Sequence, residues 1–247
     1  MVSKKTLIIL SNLIKVNPAT LHEHFRLREV TPIERVEGPV AIRLDGVNFS
    51  KALKQFEKPR DLRVHEALLD AGKALTERFN ALVTYITSDE INVVLDDVPY
   101  GGRVFKLISV TASIASAHAS LRLGIPIYFD SRVIKLKNLG EAVAYVIYRG
   151  RVCANNYISH LFHEIRGRGE VTPSVEIMLD TILKTDALKR TRDWEILGSC
   201  IYWGARLRNG VNPVTGERCT VLRRKLVTSE TLLNCIFQLL NSVSAAQ

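Results

Sequence analysis

Two acidic residues attract attention because each follows an apolar run with the composition of a β-strand. Asp45 comes after Val40–Leu44, and Asp89 comes after Leu82–Ile86. Residues 91–95 are apolar again and are typical of the return strand of a hairpin. If the two runs are neighbouring strands of one sheet, Asp45 and Asp89 lie side by side at the same edge. Two such carboxylates repel each other unless a proton or a cation lies between them.

A pair of divalent metal ions is the chemistry that this arrangement favours. Asp45, the backbone carbonyl of Gly46 and Asp89 are the predicted ligands, and Mg²⁺ commonly binds one or two carboxylates together with substrate phosphates. Two such ions activate an attacking oxygen and stabilise a leaving pyrophosphate. The alternative is that each aspartate only caps a turn at a strand end. One aspartate alone would favour that alternative, whereas two at matched positions favour the metal site.

The order of predicted elements around these acids indicates the fold class. Strand, helix, strand, strand, helix and strand follow one another between Val40 and Leu136. This is the ferredoxin-like βαββαβ unit, an α+β palm of the kind found in polymerases and cyclases. Its first and third strands are central, so the end of strand one and the turn between strands two and three share one edge. We predict an N-terminal helical extension (1–38), a palm catalytic core (39–137) and a C-terminal part packed on the core (138–247).

The C-terminal part is predicted to consist of added helices and one hairpin. Periodic apolar residues indicate helices over Glu141–Tyr148, Val152–Ile165 and Val175–Leu183. The hairpin turns at Asn212–Glu217, and a last helix lies around Thr231–Leu240.

Composition indicates a globular protein with a polyanionic partner. The 247 residues are 47% hydrophobic, and the formal net charge is +9. Nucleic acid is the foremost candidate for such a partner, although a solubility surface explains the charge equally well. Arg206, Arg208 and the run Arg223–Lys225, which includes Arg224, are expected to contact phosphates, with a solvated strand end as the alternative.

Cysteine usage and hydropathy favour a cytoplasmic protein without a membrane partner. The four cysteines form no Cys-x-x-Cys pair, so we expect reduced thiols. The apolar start of the chain is short and is interrupted by Ser11, Asn12 and Lys15. No stretch is expected to reach the roughly 20 apolar residues of a membrane span.

Basic side chains at the start of the second long helix could bind a triphosphate. Arg103 and Lys106 lie one turn apart there, and the helix N-terminus adds a positive field and free N–H groups. Lys58 is expected to approach from the preceding loop. A solvated basic helix start is an equally good interpretation.

Five short motifs, in order and at suitable spacing, resemble those of one family. They are Arg43-Leu44-Asp45-Gly46, Phe56-Glu57-Lys58-Pro59-Arg60-Asp61, Ser88-Asp89-Glu90, Arg103-Val104-Phe105-Lys106 and Phe129-Asp130-Ser131-Arg132-Val133. The series is similar to that of the tRNA-histidine guanylyltransferase family, including its archaeal and bacterial relatives that add nucleotides in the 3′-to-5′ direction. The resemblance covers about residues 38–160, with a weaker echo in Trp194–Glu217.

The resemblance implies a nucleotidyltransferase that acts on tRNA. It implies two Mg²⁺ ions at Asp45, Gly46 and Asp89, with Ser88 and Glu90 supporting catalysis. ATP or GTP would activate a tRNA 5′-monophosphate, and the 3′-hydroxyl of an incoming GTP would then attack the activated end. The family commonly assembles as a tetramer, so a homo-oligomer, tetramer or dimer, is expected.

The same resemblance assigns further residues to substrates. The expected nucleotide-binding residues are Asn48, Phe49, Ser50, Lys58, Asp61, Ser88, Arg103 and Lys106. Asp130 and Arg132 match a strand near the nucleotide. Arg149 and Asn156 match a region expected to contact tRNA.

Two departures from the family pattern bear on the substrate. Ser50 replaces a histidine of the eukaryotic members, and the His-Ile-Asn-Asn motif of the family is reduced to Asn156, with Ala154 and Tyr157 at flanking positions. This erosion favours templated repair of truncated tRNA 5′ ends over the addition of a guanosine to tRNA-histidine. A tRNA-binding protein without catalysis and a palm-type nucleotide cyclase are the alternatives.

Overall fold

One antiparallel sheet of six strands organises the part of the chain that the structure describes. The computed structural model describes residues 34–167 and 169–245, so the predicted N-terminal extension lies outside it up to residue 33. The strands are β1 (Val40–Gly46), β2 (Val83–Thr87), β3 (Glu90–Leu95), β4 (Phe129–Lys135), β5 (Ser199–Val211) and β6 (Arg218–Ser229). Their order in the sheet is β4-β1-β3-β2-β5-β6.

Helices connect and cover these strands. They are α1 (Phe49–Ala52), α2 (Leu62–Phe79), α3 (Val104–Leu123), α4 (Leu139–Arg166), α5 (Val175–Leu183), α6 (Asp193–Leu197) and α7 (Leu232–Ala245). Short 3₁₀ turns lie at Tyr100–Gly102 and Ala187–Arg190. Element order and strand order together confirm the predicted α+β palm, with β1 and β3 at its centre.

The alternation of side chains along β1 explains why helices cover both faces of the sheet. Ile42 and Leu44 belong to the apolar cluster that includes α2 and α3. Ala41 points to the other face, where it packs with Val146 of α4 and Leu239 of α7. Since successive strand residues face opposite sides, Arg43 and Asp45 share the face of Ala41.

The C-terminal part does more than pack on the palm, because its hairpin extends the same sheet. Tyr202 of β5 is the register partner of Val83 in β2, and pairing with β2 ends there. Beyond Tyr202, β5 pairs with β6 alone among the described residues. We call this free two-stranded segment, residues 204–211 and 218–225, the basic ribbon.

A single helix replaces the two predicted over residues 141–165. α4 is 28 residues long and passes through Gly150 without interruption. A Cβ at Gly150 would lie 3.1 Å from the Leu232 side chain and 3.4 Å from the hydroxyl of Tyr85. The absence of a side chain at Gly150, which lies between the two predicted helices, allows α7 and β2 to approach α4 closely.

The expectation of four reduced cysteines is wrong for two of them. Cys200, near the start of β5, and Cys235, in α7, form a disulfide with Cα atoms 5.5 Å apart. Cys153 and Cys219 are free. The two cysteines are 35 residues apart in sequence, and no local spacing pattern predicts such a contact.

The expectation about hydropathy also needs correction. The 20 residues of α3 are long and apolar enough to cross a membrane by length and composition. In the structure, this helix buries Leu107, Thr111, Ala115 and Ala119. These residues follow helical spacing, so α3 occupies the position of the second palm helix against the sheet and α2.

Candidate active site

The strand register brings the two predicted metal-binding aspartates to one edge. Asp45 is the register partner of Glu90 across β1 and β3, and Asp89 immediately precedes Glu90 in the turn between β2 and β3. The backbone N–H of Gly46 donates to the carbonyl of Asp89 over 3.2 Å. The juxtaposition predicted from element order is therefore present in the structure.

Gly46 is required by the close return of the chain after β1. A Cβ at this position would lie 2.3 Å from the ring of Phe49. That ring is 5% exposed and contacts Phe129 edge-on, with ring centroids 5.2 Å apart. Phe49 thus closes the core below the site, while Asn48 and Ser50 are exposed on either side of it.

Asp45 is held by one arginine and keeps one free oxygen. Nη2 of Arg43 lies 2.8 Å from Oδ2 of Asp45 and 3.0 Å from Oε1 of Glu90. The described residues give Oδ1 of Asp45 no partner. They also contain no cluster of three or more metal-binding side chains. Two carboxylates and a carbonyl still fit Mg²⁺, because this ion keeps several waters and is completed by substrate phosphates.

Glu90 has a different position from the one expected of a catalytic acid. It is 7% exposed, and Arg149 binds it from α4 through both Nε, at 3.0 Å, and Nη2. Burial raises the pKa of the Glu90 carboxyl, and the charges of Arg149 and Arg43 oppose that rise. Because its oxygens are occupied by these guanidinium groups, Glu90 positions Arg43 and is not available to a substrate.

Arg149 cannot serve as the predicted tRNA contact. The residue is 5% exposed, and its guanidinium is committed to Glu90. The family resemblance assigned Arg149 to a region that contacts tRNA, and only the packing of α4 shows that its side chain faces the sheet.

A cavity beside Asp89 collects several of the predicted nucleotide-binding residues. Phe49, Ser50, Lys58, Asp61, Ser88 and Asp89 all line it. Its volume is about 190 Å³, below the ~300–1,000 Å³ of typical small-molecule pockets. A nucleotide would therefore place one part in the cavity and extend along the sheet edge toward Asp45.

Asp61 has a structural task at the wall of this cavity. Its carboxylate caps α2 by accepting the N–H of Arg63 at 2.8 Å, and it also accepts the N–H of Glu57 at 2.9 Å. The Arg63 side chain adds further hydrogen bonds. The pKa of Asp61 is lowered to about 2, mainly by the hydrogen bond from Arg63. Asp61 therefore fixes the loop, and few of its lone pairs remain for a ligand.

Two aromatic residues of the cavity were missed from the sequence. His65 of α2 stacks on Trp194 of α6 with ring centroids 4.0 Å apart, and its Nε2 lies 2.9 Å from the hydroxyl of Ser199. Burial, with the nearby charge of Arg60, lowers the pKa of His65 to about 4. The apolar period of α2 could have indicated that His65 faces inward, but its contact with a helix 129 positions later was not readable.

Arg103 and Lys106 lie at the opposite end of the sheet from the two aspartates. Gly102, beside Arg103, accepts the N–H of Val36, and Val36 lies before the start of β1. Asp45 lies at the end of β1, about 20 Å away along the strand. The expectation that Lys58 and this helix start bind one triphosphate is therefore wrong within a single chain. Nζ of Lys106 instead lies 4.8 Å from the Tyr100 ring centroid.

The remaining predicted tRNA contacts are exposed. Asn156 is on the outer side of α4, and Arg206, Arg208 and Arg224 lie on the basic ribbon. A shallow groove is lined by Arg206, Arg208, Arg223, Arg224 and Lys225. The register pairs Arg206 with Arg223. Like charges placed directly opposite each other destabilise a hairpin, which suggests a surface arranged for an anion.

The strand order and the edge that carries Asp45 and Asp89 define the class of fold, an α+β palm core. Residues 29–137 match the sequence model of one family, Thg1, the tRNAHis guanylyltransferases. This segment contains the four palm strands, β1 to β4, and the match confirms the resemblance indicated by the five motifs.

Solved structures share the fold over most of the chain. A bacterial tRNA(His) guanylyltransferase (Thg1)-like protein in complex with GTP has a TM-score of 0.64 and 22% identity, covering 86% of this chain and 90% of that one. A bacterial tRNA(His) guanylyltransferase (Thg1)-like protein in complex with ATP has a TM-score of 0.65 and 22% identity, covering 86% of this chain and 91% of that one. The tRNA(His) guanylyltransferase of Saccharomyces cerevisiae gives 0.59 and 18%, covering 72% of this chain and 90% of the yeast chain.

A viral relative is similar over a shorter part. An uncharacterized protein of Acanthamoeba polyphaga mimivirus is 26% identical in an alignment of 166 residues that covers 53% of this chain. The chain spans 57% of the length of that relative.

Proposed function

We propose that this protein adds nucleotides to the 5′ end of tRNA in the 3′-to-5′ direction. ATP or GTP would first transfer its nucleoside monophosphate to a tRNA 5′-monophosphate with release of pyrophosphate, and the 3′-hydroxyl of an incoming nucleotide would then displace that nucleoside monophosphate. The observation that carries the proposal is the meeting of Asp45 and Asp89 at one edge of a palm sheet. The match of residues 29–137 to the tRNAHis guanylyltransferases supports it.

Two Mg²⁺ ions would be held by Asp45, the carbonyl of Gly46 and Asp89. When bound, such ions supply positive charge that favours the attacking alkoxide and the leaving phosphate. The donor set is all oxygen, as Mg²⁺ requires. Ser88, half-buried beside Asp89 in a tight turn with φ of 56°, offers a hydroxyl to the phosphates.

The chain's own residues would orient the nucleotide. Lys58 is exposed at the mouth of the cavity, where it can neutralise phosphate charge. Phe56, Val64 and Trp194 give the interior an apolar wall, which suits the flat face of a base. Arg43 holds Oδ2 of Asp45, which fixes the rotamer of this carboxylate before any ligand arrives.

The basic ribbon is the proposed tRNA surface. Its two strands carry Arg206, Arg208, Arg218, Arg223, Arg224 and Lys225, and none of these forms an ion pair with a described residue. Phosphate contacts of this kind fix the position of an RNA without reading its sequence. Templated repair of shortened tRNAs is the favoured variant, since only Asn156 remains of the family motif linked to tRNA-histidine.

A direct assay tests the proposal. Purified protein is offered 5′-monophosphorylated tRNA-histidine and a set of 5′-truncated tRNAs, each with Mg²⁺ and labelled GTP alone or with all four nucleotides. We expect extension of the truncated tRNAs, opposite template nucleotides. Asp45→Asn and Asp89→Asn should each reduce the rate by at least about 10³-fold at unchanged thermal stability, and full activity in both variants would contradict the proposal.

A second function, tRNA binding without catalysis, is favoured by the ion pair between Arg43 and Asp45. If Arg43 stays bound to Asp45 when the substrates are present, Asp45 cannot hold a catalytic metal ion. A gel shift of tRNA that needs no Mg²⁺, together with no product from any nucleotide, would support this alternative and contradict the enzyme.

A further inference from the structure

Arg60 is anomalous among the residues that line the cavity. Its Nε and Nη2 are buried and have no hydrogen-bond partner among the described residues. In the same part of the chain, Nη1 reaches only the carbonyl of the neighbouring Pro59, at 3.4 Å. The guanidinium carbon lies 5.9 Å from the Tyr157 ring centroid, a distant contact. A buried charged donor without an acceptor is costly, so this side chain is held in an arrangement that a ligand would relieve.

The identity of the two unpaired atoms restricts the ligand. Nε–H and Nη2–H lie along one edge of the guanidinium and point in parallel, so they match a group with two adjacent acceptors. Guanine presents O6 and N7 in this way, whereas adenine presents N7 beside an N6–H₂ donor. The two N–H groups of one guanidinium edge, here called the fork, can therefore donate to guanine, whereas the N6–H₂ donor of adenine would oppose them.

The surroundings of Arg60 favour a neutral base over a phosphate. Arg60 lines both the cavity and the adjoining cleft behind its loop. Glu164, Asp186 and Glu195 line that cleft, and Glu57 lines both spaces. Phosphate groups would meet this acidic wall, whereas Lys58 and the edge with Asp45 are more suitable for them.

The geometry assigns Arg60 as the residue that recognises the guanine of a bound nucleotide, through O6 and N7, in the cavity shared with His65 and Trp194. This inference rests on the proposed function, because it takes the cavity as the nucleotide site. Nε and Nη2 are buried in the structure, so the Arg60 side chain has to rotate into the cavity, whose wall it forms, for the fork to meet a base. Asp61 is not the reader, because its carboxylate is occupied by Arg63 and by backbone N–H groups.

The assignment is tested by measuring nucleotide affinity calorimetrically, with Mg²⁺ and without RNA, for bases that differ in the O6 and N7 acceptors. The probes are GTP, ATP and 7-deaza-GTP, which lacks the N7 acceptor. Wild type should bind GTP more tightly than either of the others, by roughly 5- to 150-fold for the loss of a bidentate pair. Arg60→Ala should lose this preference and bind the three equally. Arg60→Lys should lose it too, because an ammonium keeps the charge but not the fork.

Controls separate recognition from folding. Arg122→Ala removes a surface arginine paired with Glu66 at 3.0 Å and should keep the wild-type preference. Arg60→Ala should melt at the same or a higher temperature than wild type, since it removes buried donors without partners. A lower melting temperature would indicate a structural role and would contradict the inference.

The binding data distinguish a failure of the Arg60 assignment from a failure of the proposed function. If wild type binds the three nucleotides equally, the assignment of Arg60 is wrong while the nucleotide site stands. If Arg60→Ala weakens all three equally and Arg60→Lys restores binding, Arg60 contacts phosphate and the guanine assignment is overturned. If wild type binds no nucleotide, the proposed function fails together with this inference.

Discussion

At the scale of single residues, the same acidic motif contains two different kinds of carboxylate. Asp89 lines the cavity, whereas its neighbour Glu90 is buried between Arg43 and Arg149. Asp89 belongs to the turn between β2 and β3, whereas Glu90 is the first residue of β3, so the two carboxylates have different surroundings although they are adjacent in sequence. A chain of ion pairs then runs from α4 through Glu90 and Arg43 to Asp45.

Breaking the buried pair should be strongly destabilising. Arg149→Ala leaves the Glu90 carboxylate with one arginine in a buried position, and we expect the free energy of unfolding to fall by about 3–5 kcal/mol. Urea denaturation measures the change. Arg151→Ala, an exposed change on the same helix, is the matched control and should stay within about 0.5 kcal/mol of wild type. Equal effects of the two substitutions would contradict the buried pair.

His65 should make the fold sensitive to mild acid. Its pKa is about 4 in the folded chain and about 6.5 when unfolded, so below pH 6.5 the unfolded state binds the proton first. The stability that depends on neutral His65 is complete above pH 6.5 and is lost as the pH falls toward 4, by up to about 3 kcal/mol. Denaturation curves of wild type and His65→Gln across this range measure it. The variant should show a smaller slope, and parallel curves would count against the assignment.

At the scale of elements, contacts distant in sequence decide which predicted breaks are real. Gly150 lies inside α4 because Leu232 and Tyr85 need the space. β5 begins as an edge strand of the palm and ends as a free ribbon. The disulfide between β5 and α7 fixes the last helix to that edge.

The disulfide should contribute measurably to stability. Closing a loop of 35 residues is worth about 4 kcal/mol in the chain-entropy treatment. Cys235→Ser should therefore lower the free energy of unfolding by about 2–4 kcal/mol under oxidising conditions. Cys219→Ser, a free cysteine on the basic ribbon, should change it by less than about 0.5 kcal/mol. Under reducing conditions the difference between Cys235→Ser and wild type should shrink, and a difference that persists unchanged would argue against the bond.

At the scale of the whole molecule, the distribution of charge matters more than its total. The net charge of +9 is concentrated in part on the basic ribbon, which has Glu217 at its turn as an acidic residue. The ribbon continues β5 beyond the Val83 end of β2, away from the edge that carries Asp45 and Asp89, so an RNA bound along it has to span the length of the sheet to reach the two acids.

Salt dependence of tRNA affinity should report on the ribbon. Each lost phosphate contact reduces the slope of log K against log salt by about 1. We expect Arg223→Ala and Arg224→Glu to reduce the slope, while Lys184→Ala, a surface lysine that pairs with Asp180, leaves it unchanged. Filter binding from about 50 to 200 mM salt measures it. Identical slopes for all of these proteins would place the RNA elsewhere.

The sequence by itself determined the palm, the meeting of Asp45 and Asp89, and the resemblance to the tRNAHis guanylyltransferases. Strand periodicity, glycine and acid positions act locally, and the βαββαβ order leaves few ways to arrange the strands. Tertiary structure alone decided the burial of Arg149 and Glu90, the distance of Arg103 and Lys106 from the acids, the disulfide, and the unpaired fork of Arg60. Each of these depends on which groups from remote segments surround a side chain, and a charged residue has the same appearance in a sequence whether it faces water or a buried partner.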